Sequence, residues 1–444
     1  MVVMAALITA GAYTLAALGK NAEMPARIVP FLVALLGLLL FAHIGVRALA
    51  RGADATLLPL AVLLNGVGYV VIARLSERLA GLQTTWTFIS IVAFLLTLLF
   101  VRRPADLARY KWTFLVAGVV LLLVPLVPGL GTSVGGARIW VNIGPVTFQP
   151  GEFAKLALAL FFAGYLAESR HEIAEGESRI GGVRVPAMRH LLPITMAWGF
   201  AVVVMVAEKD LGSALLFFTL FAVIMWVATE RALFLGVGLG LFALAAVSAW
   251  ALFSVVQTRV SIWLDPWAQY EGKGYQIVQA MFAFSNGGTG GTGLGLGSPT
   301  KIPAAKTDYI FAAVGEELGL LGATAVLVSF LLLIGAGLRV AMRAERDFEK
   351  LLAVGLTTII GMQAFIIMGG VLRVVPLTGI TLPFVSYGGS SLLANYVLLA
   401  LLIRLSDTGA RRRGESPDPL SLGEWWEARS LRRAERRQRK AAAR

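Results

Sequence analysis

Apolar residues in this chain come in long unbroken blocks. Twelve stretches, near 2–18, 28–49, 55–73, 84–101, 112–129, 151–168, 190–207, 211–228, 233–256, 309–338, 350–372 and 382–404, are apolar with few charges. A helix needs about 20 such residues to cross hydrocarbon. A helix half-buried in a soluble core would instead show a polar stripe recurring every three to four positions. The pattern predicts an all-α polytopic membrane bundle of about 10–12 transmembrane helices. The first block lacks a basic stretch ahead of it, so it reads as a span rather than a signal peptide. Its abrupt apolar opening would fit a chain lacking a short native N-terminus.

Composition agrees. Of 444 residues, 57% are hydrophobic and 15% charged, against about 25% charged in soluble domains. Mean hydropathy is +0.77. The absence of cysteine excludes disulfides and thiolate chemistry. With only His43, His171 and His190, the HExxH zinc motif and a histidine-centred triad are absent. Any acid or base must therefore be a carboxylate.

The net charge of +13 is not spread evenly. Arg102, Arg103, Arg109 and Lys111 fall in one connection, and Arg170, Arg179, Arg184 and Arg189 in another. A third holds Arg339, Arg343, Arg346 and Lys350, and eleven basic residues follow position 405. With twelve spans these segments share one side, which the positive-inside rule makes cytoplasmic. That clustering accounts for the charge without invoking nucleic acid. It divides the chain into a transmembrane domain over 1–405 and a basic cytoplasmic tail over 406–444. Glu424-Trp425-Trp426-Glu427 and the arginines after it would suit a short helix at the lipid headgroups or a solvated tail.

The opposite, extracytoplasmic side receives 130–150, 208–210, 257–308 and 373–381. The segment 257–308 is far too long for a simple connection. It opens with Arg259 and reaches Trp263-Leu-Asp265-Pro266-Trp267, then Lys273, Gly274-Tyr-Gln276 and a run with seven glycines between Gly287 and Gly297; it closes on Lys301 and Lys306. Pro266 holds Asp265 in extended or turn geometry, and the flanking tryptophans would set it at headgroup depth. A carboxylate there, partly desolvated, is suited to general-base work, although an ordinary Asp-Pro turn gives the same pattern. Gly288, Gly290 and Gly293 match GxGxxG, but no strand precedes them and a dinucleotide site is not implied. The glycines read as flexible backbone that approaches a ligand or lets the loop move.

Charges at the membrane boundary are costly and mark sites by default. Glu152 and Lys155 lie three apart on one helix face, just after Gln149-Pro150. Their pattern suits an internal salt bridge, and Asp210, in Glu208-Lys209-Asp210, is a natural further partner for Lys155. Glu316 and Glu317 need partners from outward Lys or Arg residues or from a metal. The last outward segment runs from Arg373 through Thr378-Gly379 to Ser386-Tyr387-Gly-Gly-Ser390-Ser391. Its small and hydroxyl residues allow close packing or a wet cavity.

Five of these motifs, in order between about 130 and 405, resemble the SEDS family of cell-wall proteins (shape, elongation, division and sporulation). They are Phe148-Gln-Pro-Gly-Glu-Phe-Ala-Lys155, Asp210-Leu-Gly212, Gly274-Tyr-Gln276, Lys306-Thr-Asp-Tyr-Ile-Phe-Ala-Ala-Val-Gly-Glu-Glu-Leu-Gly319, and Thr378-Gly through Ser386-Tyr-Gly-Gly-Ser-Ser391. The last segment and the Trp-Leu-Asp-Pro loop look more like the elongation branch than the division branch. Lys209, where many relatives have Pro, departs from the pattern.

The resemblance implies a peptidoglycan glycosyltransferase in the cell membrane that polymerises lipid II. A GlcNAc 4-hydroxyl would attack the MurNAc anomeric carbon of an undecaprenyl-diphosphate-linked strand, with inversion to a β-1,4 bond. The family's base maps to Asp265. Arg138, Lys155, Arg259, Lys273, Lys301 and Lys306 are candidates to steady the departing diphosphate, and a divalent cation, Mg or Mn, could assist. Glu152, Asp210, Gln276, Glu316, Glu317, Thr378, Ser386, Tyr387, Ser390 and Ser391 would shape the cavity. A class B penicillin-binding protein is the implied partner. The competing readings are a lipid II flippase, which would spread charge through the membrane depth, the division paralogue, and a scaffold without chemistry.

Overall fold

The computed structural model describes all residues except 22–27, 135, 145, 176–177, 181–182, 186–187 and 416–444. The aromatic and basic run over 424–440 lies outside the described residues. In chain order the helices are α1 (Val2–Asn21), α2 (Ile28–Leu49), α3 (Leu57–Leu75), α4 (Glu77–Phe100) and α5 (Lys111–Leu123). After a small sheet come α6 (Gly151–Glu175), α7 (Met188–Ala207), α8 (Leu211–Thr229), α9 (Ala232–Leu252), α10 (Ser254–Leu264) and α11 (Tyr275–Gly287). The chain ends in α12 (Ile310–Met342), α13 (Asp347–Val371) and α14 (Gly389–Arg412).

Ten helices among the described residues are long and apolar enough to cross a membrane. The described part of α2 is a shorter apolar helix. α6 has the length but carries Glu152, Lys155, Glu168 and Arg170. It packs against α5, α7, α8, α13 and α14, and nearly all of its first four turns are buried. Charge is tolerable there because those turns face protein. α14 continues through Arg412, past the domain end expected at 405.

Among the described residues, strands occupy connections only. β1 (Gly131–Val134), β2 (Ala137–Ile143) and β3 (Val146–Phe148) form an antiparallel three-stranded sheet between α5 and α6, where the sequence reading expected only an outward loop. β4 (Ser178–Ile180) and β5 (Val183–Val185) make a hairpin between α6 and α7. The backbone amide of Arg138 in β2 donates to the carbonyl of Glu208 at 3.0 Å, which ties the first sheet to the α7–α8 turn.

Arginines close one end of the bundle. The last carbonyls of a helix have no partner within it, and Arg404 of α14 takes up two of them, Leu49 at the end of α2 (2.7 Å) and Leu98 in α4. Arg404 also pairs with Asp407, whose carboxylate accepts the Gly52 amide at 2.8 Å. Arg412 grips Glu349 of α13 through both oxygens, at 2.5 and 2.7 Å. α3, α5, α7, α9 and α13 end at the opposite end of the bundle. There the 208–210 turn, α10, α11 and the glycine-rich loop come together.

Candidate functional site

Charged and polar side chains at that end form three groups. In the first, Lys155 pairs with Glu152 at 2.8 Å, both buried. The internal pairing expected from their spacing is therefore present. The Lys155–Asp210 ion pair is not: Asp210 lies near Lys155 and Glu152 but caps α8, accepting the Ser213 amide at 3.0 Å. The reason is local. α7 and α8 meet in a tight turn with Lys209 at φ 61°, which leaves Asp210 at the N-cap of α8. That position favours a carboxylate bonded to the first free amides of the helix.

Burial raises Asp210, opposed by its Ser213 bonds and by Lys155. Glu208 is buried too, and burial, followed by the neighbouring Asp210, pushes it from 4.5 up to about 8. The folded chain then holds this proton more tightly than the unfolded chain. The stability it contributes is complete below about pH 4.5 and is lost as pH rises towards about 8, at up to about 1.4 kcal/mol per pH unit. Glu208→Gln is expected to flatten the fall in melting temperature between about pH 5 and 8 and to leave the variant the more stable protein at alkaline pH. An unchanged slope in thermal scans would show that Glu208 is not the titrating group.

Arg259 joins this group from α10. Its guanidinium donates to the Thr378 carbonyl at 2.8 Å and faces Asp308 across Gly379. Burial lowers Arg259, opposed by Asp210, Asp308 and Tyr309; burial raises Asp308 to about 6, opposed by Arg259 and Thr307. Asp308 was legible only as part of a motif.

The second group is built on α12. Glu317 pairs with Arg74 of α3 at 3.3 Å, and Arg74 also donates to the carbonyls of Gly295 and Gly297, both at 3.1 Å. Glu316 accepts the Ser298 amide at 3.0 Å. The partner thus comes from the end of a span and from loop backbone, rather than from the outward Lys and Arg candidates. α12 kinks at Gly319, with φ 65° and ψ −164°. The kink frees amides and carbonyls that the loop takes up: Thr292 to Glu316, Gly293 to Glu317, Leu320 to Gly288 and Leu321 to Thr289, at 2.9–3.2 Å. Gly291 and Gly319 meet backbone to backbone, and a Cβ on Gly319 would lie 2.2 Å from the Gly291 nitrogen. Gly287, Gly291 and Gly297 are packed against α12, whereas Gly288 and Gly290 border open space.

The third group surrounds Asp265. The residue ends α10, and its Oδ1 accepts the amides of Trp267 (3.1 Å) and Ala268 (3.2 Å). No other part of the chain covers its side chain, which is exposed. Asp265 sits six residues beyond Arg259, about 9 Å along the helix axis. Arg373, at φ 61°, holds the helix end. It donates to the Trp263 carbonyl at 2.8 Å and the Leu264 carbonyl at 3.2 Å, while its own carbonyl accepts the Trp263 indole at 2.9 Å. Sequence reasoning named neither Arg74 nor Arg373 as a site residue.

The remaining candidates are dispersed. Lys273, Gln276, Lys301 and Lys306 are exposed, and Arg138 is half-buried, donating to the Val127 carbonyl at 3.3 Å. Ser386 donates to the Thr307 carbonyl at 2.6 Å, and the Tyr387 amide donates to the Lys306 carbonyl at 2.9 Å. Ser390 accepts the Gln149 amide at 3.0 Å, and Ser391 accepts from Thr381 at 2.7 Å. These hydroxyls hold the 373–391 segment to its neighbours. Among the described residues no three His, Asp or Glu side chains are placed to hold a metal ion.

Fold and site together define a many-helix membrane protein with arginine clamps at one end and ordered loops bearing carboxylates at the other. The chain belongs to the FtsW/RodA/SpoVE family of cell cycle proteins, whose model matches residues 53–410. It is 43% identical over 419 residues to "Peptidoglycan glycosyltransferase RodA" of Mycobacterium tuberculosis, covering 92% of this chain and 89% of the relative. The RodA of Mycobacterium leprae is 40% identical, covering 86% and 84%. A "Probable peptidoglycan glycosyltransferase FtsW" of Legionella pneumophila is 34% identical, covering 71% and 78%. Among solved structures, the chain is similar to one described as "Structural coordination of polymerization and crosslinking by a peptidoglycan synthase complex". There the TM-score is 0.67 and the identity 28%, over 80% of this chain and 98% of that one. The RodA of Thermus thermophilus gives a TM-score of 0.58 at 26% identity, covering 80% and 96%.

Proposed function

We propose that this chain is a peptidoglycan glycosyltransferase that polymerises lipid II during cell elongation. The observation that carries this reading is the 43% identity to RodA along 92% of the chain. The lower identity to FtsW, 34% over 71%, favours the elongation branch. The clamped arginine end lies at the cytoplasm, as basic connections require, and the end bearing Asp265 faces outward. The tail after α14 is then cytoplasmic.

In this reading Asp265 takes the proton of the acceptor GlcNAc 4-hydroxyl. The oxygen attacks the MurNAc anomeric carbon, the bond to undecaprenyl diphosphate breaks, and the configuration inverts. One displacement with one base needs no covalent intermediate, as in inverting glycosidases. An exposed carboxylate suits a base that must meet a substrate arriving from lipid. Lys273 and Lys306 remain available to the departing diphosphate, whereas Lys155 is committed to Glu152, Arg259 to the Thr378 carbonyl and Arg138 to the Val127 carbonyl, and Lys301 shares a cleft with Glu316. Any magnesium or manganese would arrive on that diphosphate. A class B penicillin-binding protein is the proposed partner, supported by the likeness to a synthase complex.

The test is purified chain in detergent with lipid II, with and without a cognate transpeptidase, read as glycan strands on a gel. Strands are expected. Their absence in both arms, with lipid II moved across vesicles, would favour a flippase.

A further inference from the structure

A cleft of about 360 Å³ opens between α11 and the glycine-rich loop. This lies within the range of small-ligand sites, about 300–1,000 Å³. One wall is a single face of α11, with Gln279, Phe282 and Asn286 at spacings of three and four. The other carries Thr292, Lys301 and Glu316.

Among the described residues, the side chains of Gln279, Asn286 and Lys301 have no hydrogen-bond or ion-pair partner within the chain. Glu316 spends one carboxylate oxygen on the Ser298 amide. The Phe282 ring is 41% exposed and packs edge-on against Trp267, centroids 5.8 Å apart. Trp267 in turn donates its amide to Asp265, so one aromatic layer separates the cleft from the proposed base. Buried Ala283 and Ile302 form an apolar floor.

The chemistry of this lining is selective. Lys301 and Glu316 cancel, so the cleft offers no net positive charge for a diphosphate, which calls for several cations. Two amides that donate and accept, a hydroxyl and a carboxylate match a ligand rich in hydroxyls. An open ring face beside them takes the C–H face of a saccharide, whose weakly positive hydrogens suit the negative face of the ring. We propose that the cleft is a subsite for one N-acetylhexosamine unit of the lipid-linked saccharide. The sugar ring lies on Phe282, hydroxyls bond to Gln279, Asn286 and Glu316, and the acetamido methyl rests over Ala283 and Ile302. This rests on the glycosyltransferase reading above.

The experiment uses the full chain in detergent with N,N′-diacetylchitobiose as probe, followed by saturation-transfer NMR, and inorganic pyrophosphate as competitor. The parent is expected to show weak disaccharide binding that pyrophosphate does not displace. Gln279→Leu combined with Asn286→Leu removes only hydrogen bonds at accessible positions, and Phe282→Leu removes the ring. Each is expected to abolish probe binding and to raise the KM for lipid II about tenfold, with kcat within about twofold. Probe binding retained in both variants overturns the subsite, as does displacement by pyrophosphate. Binding needs no turnover: a parent that bound the disaccharide but made no glycan would keep the subsite and lose the glycosyltransferase reading.

Discussion

Asp265→Asn is expected to abolish glycan polymerisation and to leave the protein folded. The expected loss is about 100-fold or more, the usual range for removing a positioned general base. Asn suits this test because Asp265 uses a single oxygen, Oδ1, to accept the amides of Trp267 and Ala268. The Asn carbonyl oxygen can accept both, so the turn after α10 persists. Exposure of the side chain means that no buried contact is lost with the charge. Melting temperature should therefore match the parent within a degree or two, and KM for lipid II should change far less than kcat. Strand synthesis by Asp265→Asn at the parental rate would end the general-base assignment. Search would then turn to Asp308, the half-buried carboxylate raised to about 6 beside Arg259.

The spans and their order are legible because they rest on local pattern, apolar length and basic connections, whereas the Trp-Leu-Asp-Pro-Trp run fits an ordinary turn equally well and Asp265 stands out only through the family resemblance. The sheet over 131–148 carried a signal too. Gly135-Gly136 between Thr132-Ser-Val134 and Ala137-Arg-Ile-Trp-Val is a hairpin pattern. Other features had no local signal. Arg74 finds its acceptors more than 200 positions away, on backbone carbonyls of Gly295 and Gly297 whose side chains say nothing about them. Lys155 and Asp210 looked complementary by charge, but helix capping claimed Asp210 first. Glycine serves loose loops and backbone-on-backbone packing equally well, and the sequence does not show that Gly291 is one that packs against Gly319.

Arg373→Gly is expected to lower kcat roughly 10–100-fold, since small misplacements of a catalytic group are this costly, while stability holds or rises. Arg373 adopts φ 61°, a conformation that costs a residue other than glycine about 1–2 kcal/mol. Its contacts offset that cost. The last carbonyls of α10 lack helical partners, and the guanidinium supplies them at Trp263 (2.8 Å) and Leu264 (3.2 Å), immediately before Asp265. The indole of Trp263 closes the latch on the Arg373 carbonyl. Together with the Arg259 bond to Thr378, this fastens α10 to the 373–379 segment at two points. Glycine relieves the backbone and opens the latch, so activity and stability should move apart, which a purely structural role would not produce. Arg373→Lys keeps the charge but lacks the planar fork that spans two carbonyls, and should fall between parent and Arg373→Gly in kcat. Equal kcat in all three proteins would mean that α10 holds Asp265 without the latch, and Arg373 would then lose its positioning role.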